Sequence, residues 1–396
     1  MLLNKTSRLE KTYIYFFVTF VFFSAIFCNV SKINLLFHAS LIIFIATLLL
    51  SKESRCDFLH DYVFIKSLIL PFLFLFYFAL SNLWSEAPGN ITSTIKHMFY
   101  LVVFMCIYRQ ANKFGYKKHI MGAVFFGMSA LSILTLIMVD KTYILSSRLG
   151  NGFPWAPDNV IDLAGYMAIG VFCGIIYIRE TGNRWLYLLF PILLISLVLT
   201  QSRGPFIAFT AAFAFLFTVS PSYTKKNIFY GVAVLLFIIS LIYFTHFFDN
   251  LIWRLENSYK QSFIRFGIWK HALEVSLERP VWGWGYDKSL SFTNSVGEKI
   301  TTTHTIYLSS LLKGGIVGFL LLISLIGYGI LQIKKHLQAQ QKAEVSIFIF
   351  SLIYYMTQGM FIIGNPQEYW FLFWLPLAVI LCTPTKKQFI ADDYHN

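Results

Sequence analysis

Arg203, Arg265 and His304 are the residues of this chain best suited by type and setting to do chemistry. Arg203 sits in Thr200-Gln201-Ser202-Arg203-Gly204-Pro205, a short break between two apolar runs with no acid beside it in sequence. Gly204 and Pro205 suit a tight turn opening the next helix, where proline is tolerated in the first turn. A helix N-terminus beside a guanidinium can seat a phosphate oxygen. The same arginine also fits a plainer role, that of a cation snorkelling to a membrane interface. His304 lies in Thr301-Thr302-Thr303-His304-Thr305, where the chain turns back into an apolar run. An imidazole with its ordinary pKa near ~6.5 can act as general base close to neutral pH; it can equally be a hydrogen-bonded structural residue at a helix start.

Arg265 belongs to a stretch from Gln261 to Pro280 in which Arg265, Trp269, Ala272 and Ser276 share one side of a helix. Lys270, Glu274 and Glu278 share another side. The pattern predicts a short amphipathic helix lying on the outer membrane face or over a bundle of spans. Pro280 ends it, and Trp282-Gly283-Trp284-Gly285 follows as a turn-rich segment that lets backbone come close to something. An interfacial helix with aromatic anchors and no chemistry satisfies the same pattern. Further on, Gly314, Gly315 and Gly318 permit close helix packing, and Lys313 beside them is a buried cation in need of a partner.

The elements that must position these residues are membrane helices. The chain is 57% hydrophobic and 13% charged, more apolar surface than a soluble domain of 396 residues could hide. Hydrocarbon admits only helices or closed barrels, and the runs here are continuous, not alternating. The fold class is therefore all-α, a polytopic integral membrane protein. A span needs about 20 apolar residues, and about twelve runs qualify, near 13–30, 33–50, 63–83, 94–109, 119–138, 160–178, 184–200, 204–219, 228–247, 306–332, 345–363 and 370–384. The first run ends in Ser24-Ala25-Ile26-Phe27-Cys28, which lacks a small-x-small cleavage pattern, so it is expected to remain as a span.

Lysine and arginine fall on alternate sides of these spans. Lys52, Arg55, Arg109, Lys113, Lys117, Lys118, Arg179 and Arg184 join the N-terminal cluster Lys5, Arg8 and Lys11, whereas the short loops opposite hold Lys32, Lys96, Lys141, Arg148 and Arg203. The asymmetry predicts cytoplasmic N- and C-termini and puts the one long polar loop, 248–304 between spans 9 and 10, on the outer face. The net charge of +13 is then a topology signal that needs no nucleic-acid partner. Cys28, Cys56, Cys106, Cys173 and Cys382 lie in or beside spans without a CxxC pattern, so neither a disulfide framework nor a cysteine metal site is expected. The whole chain, 1–396, reads as one membrane domain.

Taken in order, these features resemble the O-antigen ligases and polymerases, membrane glycosyltransferases with a shared core. The resemblance runs through Leu83-Trp84-Ser85 with Pro88, then Arg148, Gly152 and Asn159, then Ser202-Arg203-Gly204. It continues with Arg265, Trp269, Ala272, Pro280, Gly283 and Gly285, and closes with His304, Tyr307, Leu308, Gly315 and Gly318. Two positions depart from the family pattern, which often carries Asn after the histidine and an acid two residues before the first glycine of the returning helix: here they are Thr305 and Lys313.

The resemblance implies a glycan donor carried on undecaprenyl diphosphate at the periplasmic face of the bacterial inner membrane and, for a ligase, a lipid A-core hydroxyl as acceptor. A sugar diphosphate already has a good leaving group. The enzyme has to hold it, neutralise its developing charge and deprotonate one hydroxyl. Arg203 and Arg265 are expected to bind the diphosphate and His304 to activate the acceptor in a single inverting displacement. Arg148, Trp269 and Tyr307 are expected to add substrate contacts. The outside acids, among them Asp158, Asp162 and Asp287, show no Asp-x-Asp pair, so no metal and no other cofactor is expected. An O-antigen polymerase using the same donor is the nearest alternative. A flippase or transporter of lipid-linked sugar is the alternative from another class, although transporters place polar groups near the bilayer midplane.

Overall fold

The computed structural model describes residues 7–140, 148–150, 152–218, 264–293, 297 and 299–383. It is an all-α polytopic membrane protein. The helices are α1 (Arg8–Ile26), α2 (Asn34–Leu50), α3 (Lys52–Leu59), α4 (Tyr62–Leu80), α5 (Ile91–Lys113), α6 (Lys117–Met138), α7 (Val160–Thr181), α8 (Phe190–Leu199) and α9 (Arg203–Thr218). They continue with α10 (264–278), α11 (Ile306–Gln338), α12 (Lys342–Tyr354) and α13 (Leu375–Cys382). Among the described residues the only strands are β1 (Phe292–Thr293) and β2 (Lys299–Ile300), an antiparallel pair. Among the described residues seven helices are long and apolar enough to cross a membrane, with shorter apolar stretches at Arg184–Leu199, Arg203–Phe217 and Trp370–Cys382. The span expected at 228–247 lies outside the described residues.

Lipid tails are as apolar as leucine, so spans associate through close packing more than through the hydrophobic effect. Here the fit is made by rings. Trp370 is 1% exposed and receives Phe37, Phe104 and Phe20 edge-on at 5.0, 5.1 and 6.0 Å between centroids, which ties α1, α2 and α5 to the C-terminal segment. Trp370–Trp374 is itself a π-helical turn leading into α13.

The two ends of the bundle differ in kind. At one end Arg109 pairs with Asp61 at 2.8 Å and Lys113 with Asp57 at 2.8 Å, joining α5 to the start of α4 and to α3. There too Lys117 and Arg179 both grip Glu344, each at 2.5 Å, and Glu344 is 0% exposed. A carboxylate so buried needs charged partners to offset its lost hydration, and these two hold α6, α7 and α12 together. The opposite end carries Arg148, Arg203, α10 and His304.

Two elements differ from the sequence expectation. The polar connection after α2 folds into α3, capped by the Ser51 side chain accepting from the Ser54 amide at 3.2 Å. The apolar run 345–363 stays helical only to Tyr354. Beyond it, the chain leaves helical geometry inside the protein, where non-helical backbone can be satisfied by neighbours.

Candidate functional site

The Arg203 turn is built by hydrogen bonds from its own side of the bundle. The Thr200 hydroxyl donates to Leu197 O at 2.6 Å as α8 ends. Arg148 Nε donates to Thr200 O at 3.0 Å and its Nη2 to Ser202 Oγ at 2.6 Å, while the Leu149 amide donates to Leu199 O at 2.9 Å. Arg148 thus holds the turn from which Arg203 projects at the first residue of α9. On the far side, a Cβ on Gly204 would collide with the Thr357 hydroxyl, so only glycine lets this turn press against the segment after α12.

His304 is held from that same segment. Its φ of 53° lies in the left-handed region, which costs a residue with a Cβ about 1–2 kcal/mol. Several bonds impose it. Thr303 Oγ1 bonds to Thr305 O and to Ser309 Oγ, both at 2.7 Å. Thr305 Oγ1 and the Ile306 amide both donate to Tyr355 O, at 3.3 and 3.2 Å. The backbone of His304 lies directly on Gly359, where any side chain would strike it. Strain of this kind, kept in place by surroundings, is found at functional sites.

Arg265 arrives on α10, which lies over the start of α11 and not flat in lipid. Ile268, Ala272 and Ser276 are buried against Leu308, Leu312 and Leu290, and Phe266, Lys270, Glu274 and Leu277 face out. After α10 the loop docks by main chain on a break in α11 at Gly315 (φ 59°, ψ −160°). The amides of Trp284 and Gly285 donate to Leu312 O and Lys313 O at 3.0 and 2.8 Å, and the Ile316 amide donates to Pro280 O at 2.8 Å. A β-carbon on Gly283 would run into the Gly315 and Lys313 backbone. Trp84 Nε1 and the Tyr77 hydroxyl both donate to Trp282 O at 3.2 Å, and Ser85 and Asn90 hold Asp287 at 3.2 and 3.0 Å. Lys313 finds its partner here: its ammonium donates to Tyr286 O beside the rings of Tyr286 and Phe361.

These three stretches converge. Arg265 lies in the field of Arg203: burial first, and that second guanidinium next, lower its pKa from 12.5. His304 lies in the field of Arg265: burial first, and that cation next, push its pKa below 6.5. Among the described residues no carboxylate pairs with Arg265. One helical turn along α10, Trp269 stacks edge-on against Phe266 at 5.6 Å, and its indole N–H is buried without a hydrogen-bond partner. Burying an unpaired donor costs about 1–3 kcal/mol. Tyr307 is turned elsewhere, its hydroxyl donating to Leu352 O at 3.3 Å. Among the described residues no three His, Cys, Asp or Glu side chains form a metal-holding group.

A family model described as O-antigen ligase matches residues 188–323, the stretch that carries Arg203, Arg265 and His304. A protein named O-antigen ligase from Pseudomonas aeruginosa is 29% identical over 214 residues, 52% of this chain and 51% of that relative. Over these stretches the chain is similar to O-antigen ligases. It spans about half, 51%, of the length of the curated relative that it matches. The three candidate residues fall inside the matched stretch, while two of their supports, Arg148 and the Tyr355–Gly359 segment, fall outside it.

The sequence had singled out Arg148 as a substrate contact, and its role as a prop for the Ser202 turn had no local signal. The Tyr355–Gly359 segment was hidden more completely, since Tyr-Met-Thr-Gln-Gly reads as the end of a span. Its one available clue was Gln358 with Gly359 in an otherwise apolar run.

Proposed function

We propose that the protein is an O-antigen ligase. It transfers polysaccharide from undecaprenyl diphosphate to a hydroxyl of lipid A-core, at the periplasmic face of the bacterial inner membrane. The observation that carries this reading is the convergence of two guanidinium groups and an imidazole from three separate stretches at one end of the bundle. Like charges brought together call for an anion, and a diphosphate supplies two linked ones.

In the reaction, the acceptor oxygen attacks the anomeric carbon on the face opposite the diphosphate. The bond from that carbon to the phosphate oxygen breaks, its electron pair leaves with undecaprenyl diphosphate, and the hydroxyl proton passes to His304. The anomeric centre is inverted. Arg203 and Arg265 stabilise charge as it develops on the leaving group, the part a divalent cation plays in many glycosyl transfers, and the reaction is metal-independent. Trp269 offers its unpaired N–H to the bound substrate, Arg148 keeps the Ser202 turn in place, and Tyr307 ties the start of α11 to Leu352 O. Positions of candidate groups at a bundle end, and not at its middle, favour transfer chemistry over transport.

Deleting the gene in its host is the discriminating test. Lipopolysaccharide with core alone, together with accumulated lipid-linked polysaccharide, is the expected result. Core bearing a single repeat unit would instead assign the protein as the polymerase, and unchanged lipopolysaccharide would remove both readings.

A pH dependence follows from the surroundings of His304. The base works only when neutral, and burial with the Arg265 charge lowers its pKa, so the acid limb of kcat/KM is expected at lower pH than an ordinary histidine would give. Removing the neighbouring cation in Arg265→Gln removes one of the two causes, so the residual activity should lose its acid limb at higher pH than the wild type. A limb at the same pH in both proteins would contradict the proposed adjacency.

A further inference from the structure

Between the Arg203 turn and the His304 bend runs a strut of three residues, Thr357, Gln358 and Gly359. Gly204 presses on Thr357 at one end, and the His304 backbone presses on Gly359 at the other. Whatever fixes this strut fixes how far the phosphate-binding turn stands from the base.

Its middle residue turns inward. The Gln358 amide nitrogen donates to Asp162 Oδ1, the Tyr354 hydroxyl donates to the same oxygen, and Gln358 Oε1 receives the Gly359 amide at 2.9 Å. Asp162, Tyr354 and Gln358 are 1%, 0% and 5% exposed. Asp162 stands in the first turn of α7, a span packed on nearly every side, so its carboxyl group is anchored to the rigid bundle. No lysine or arginine pairs with it among the described residues, and its Oδ2 has no hydrogen-bond partner. Burying an acid without a cation is costly, and an apolar residue would pack here at less expense. What the acid provides is a fixed acceptor for the strut.

We propose that Asp162 is a positioning residue for the transfer reaction: through Gln358 it sets the separation of Arg203 and His304. The proposal rests on the ligase reading above. Misplacing a reacting group by about 1 Å can cost about a hundredfold in rate.

The test is initial-rate kinetics of purified protein in detergent with lipid-linked polysaccharide as donor and lipid A-core as acceptor. Asp162→Ala and Gln358→Leu should each lower kcat about tenfold to a hundredfold, with the donor KM within about threefold, because phosphate binding by the arginines survives while alignment does not. The double variant should be no slower than the slower single one, since both act through one linkage. Asp162→Asn keeps a carbonyl acceptor at the Oδ1 position and should recover wild-type kcat to within about threefold. If Asp162→Ala does not accumulate in membranes, Gln358→Leu carries the test alone. Wild-type kcat in Gln358→Leu, additive losses in the double variant, or an Asp162→Asn as slow as the alanine would each overturn the proposal. Arg265→Ala run in parallel separates the two levels: if it is fully active the ligase site itself is misassigned, and if it is inactive while Asp162→Ala is unimpaired only the positioning role falls.

Discussion

Replacing His304 is expected to cut glycan transfer by about 10²–10⁴-fold, the range over which a positioned general base acts, while the protein stays folded in the membrane. The backbone dictates which replacement is informative. With φ at 53°, alanine keeps the left-handed strain and loses the imidazole, whereas asparagine tolerates this conformation better. His304→Asn is therefore the cleaner variant: it removes the base without loosening the bend held by Thr303, Thr305 and Tyr355. In cells, lipid-linked polysaccharide should accumulate, as is also expected for the gene deletion. Arg265→Ala should cost about 10²–10³-fold, comparable to losing one donor to a developing anion. Arg265→Lys should recover only part of that, because an ammonium cannot span two oxygens as a guanidinium does. Full activity in both His304→Asn and Arg265→Ala would end the assignment.

The second large effect is expected far from any reacting atom, at Gly283. A methyl group there meets the backbone of Gly315 and Lys313, and the residue's φ of 69° adds strain. The docked loop would lose about 1–2 kcal/mol to the left-handed Cβ and about 1 kcal/mol for each of the two amide bonds from Trp284 and Gly285. The sum is about 3–4 kcal/mol, so transfer should fall by about a hundredfold or more as α10 and Arg265 lose their place. Gly297 supplies the control. It also has positive φ, 85°, but no atom within 4 Å of a built Cβ. Gly297→Ala isolates the strain from the collision and should leave transfer within about twofold. Limited proteolysis should cut the loop readily in Gly283→Ala and slowly in Gly297→Ala; equal resistance in the two would show that docking at Gly315 does not hold the loop.

The spans were legible because hydrocarbon forces long continuous apolar runs, and α1, α2, α4, α6, α7 and α11 stand close to where those runs lie. The face of α10 was legible from period alone, with Ala272 and Ser276 buried as spaced. What stayed hidden has a common physical character. Hydropathy cannot separate a lipid-facing turn of helix from irregular chain buried in protein, so Tyr355–Ile363 read as membrane helix. Polar residues that meet across nearly two hundred positions, such as Asp162 with Gln358, leave no periodicity. Lys313 stood where the family pattern has an acid, and its partner turned out to be a backbone carbonyl, a group every residue carries. The left-handed bend at His304 has no signature in a run of threonines.

The seam between the loop and the break in α11 has an evolutionary corollary. Its bonds join Pro280, Trp284 and Gly285 to Leu312, Lys313 and Ile316 entirely through main-chain atoms. Such a seam reads register and not side-chain identity, apart from the glycines at 283, 285 and 315. The exposed side chains of Val281 and Trp282 take no part in these bonds, so substitutions there leave the register of the seam intact. The loop can therefore change its outward side chains without disturbing the scaffold that places Arg265.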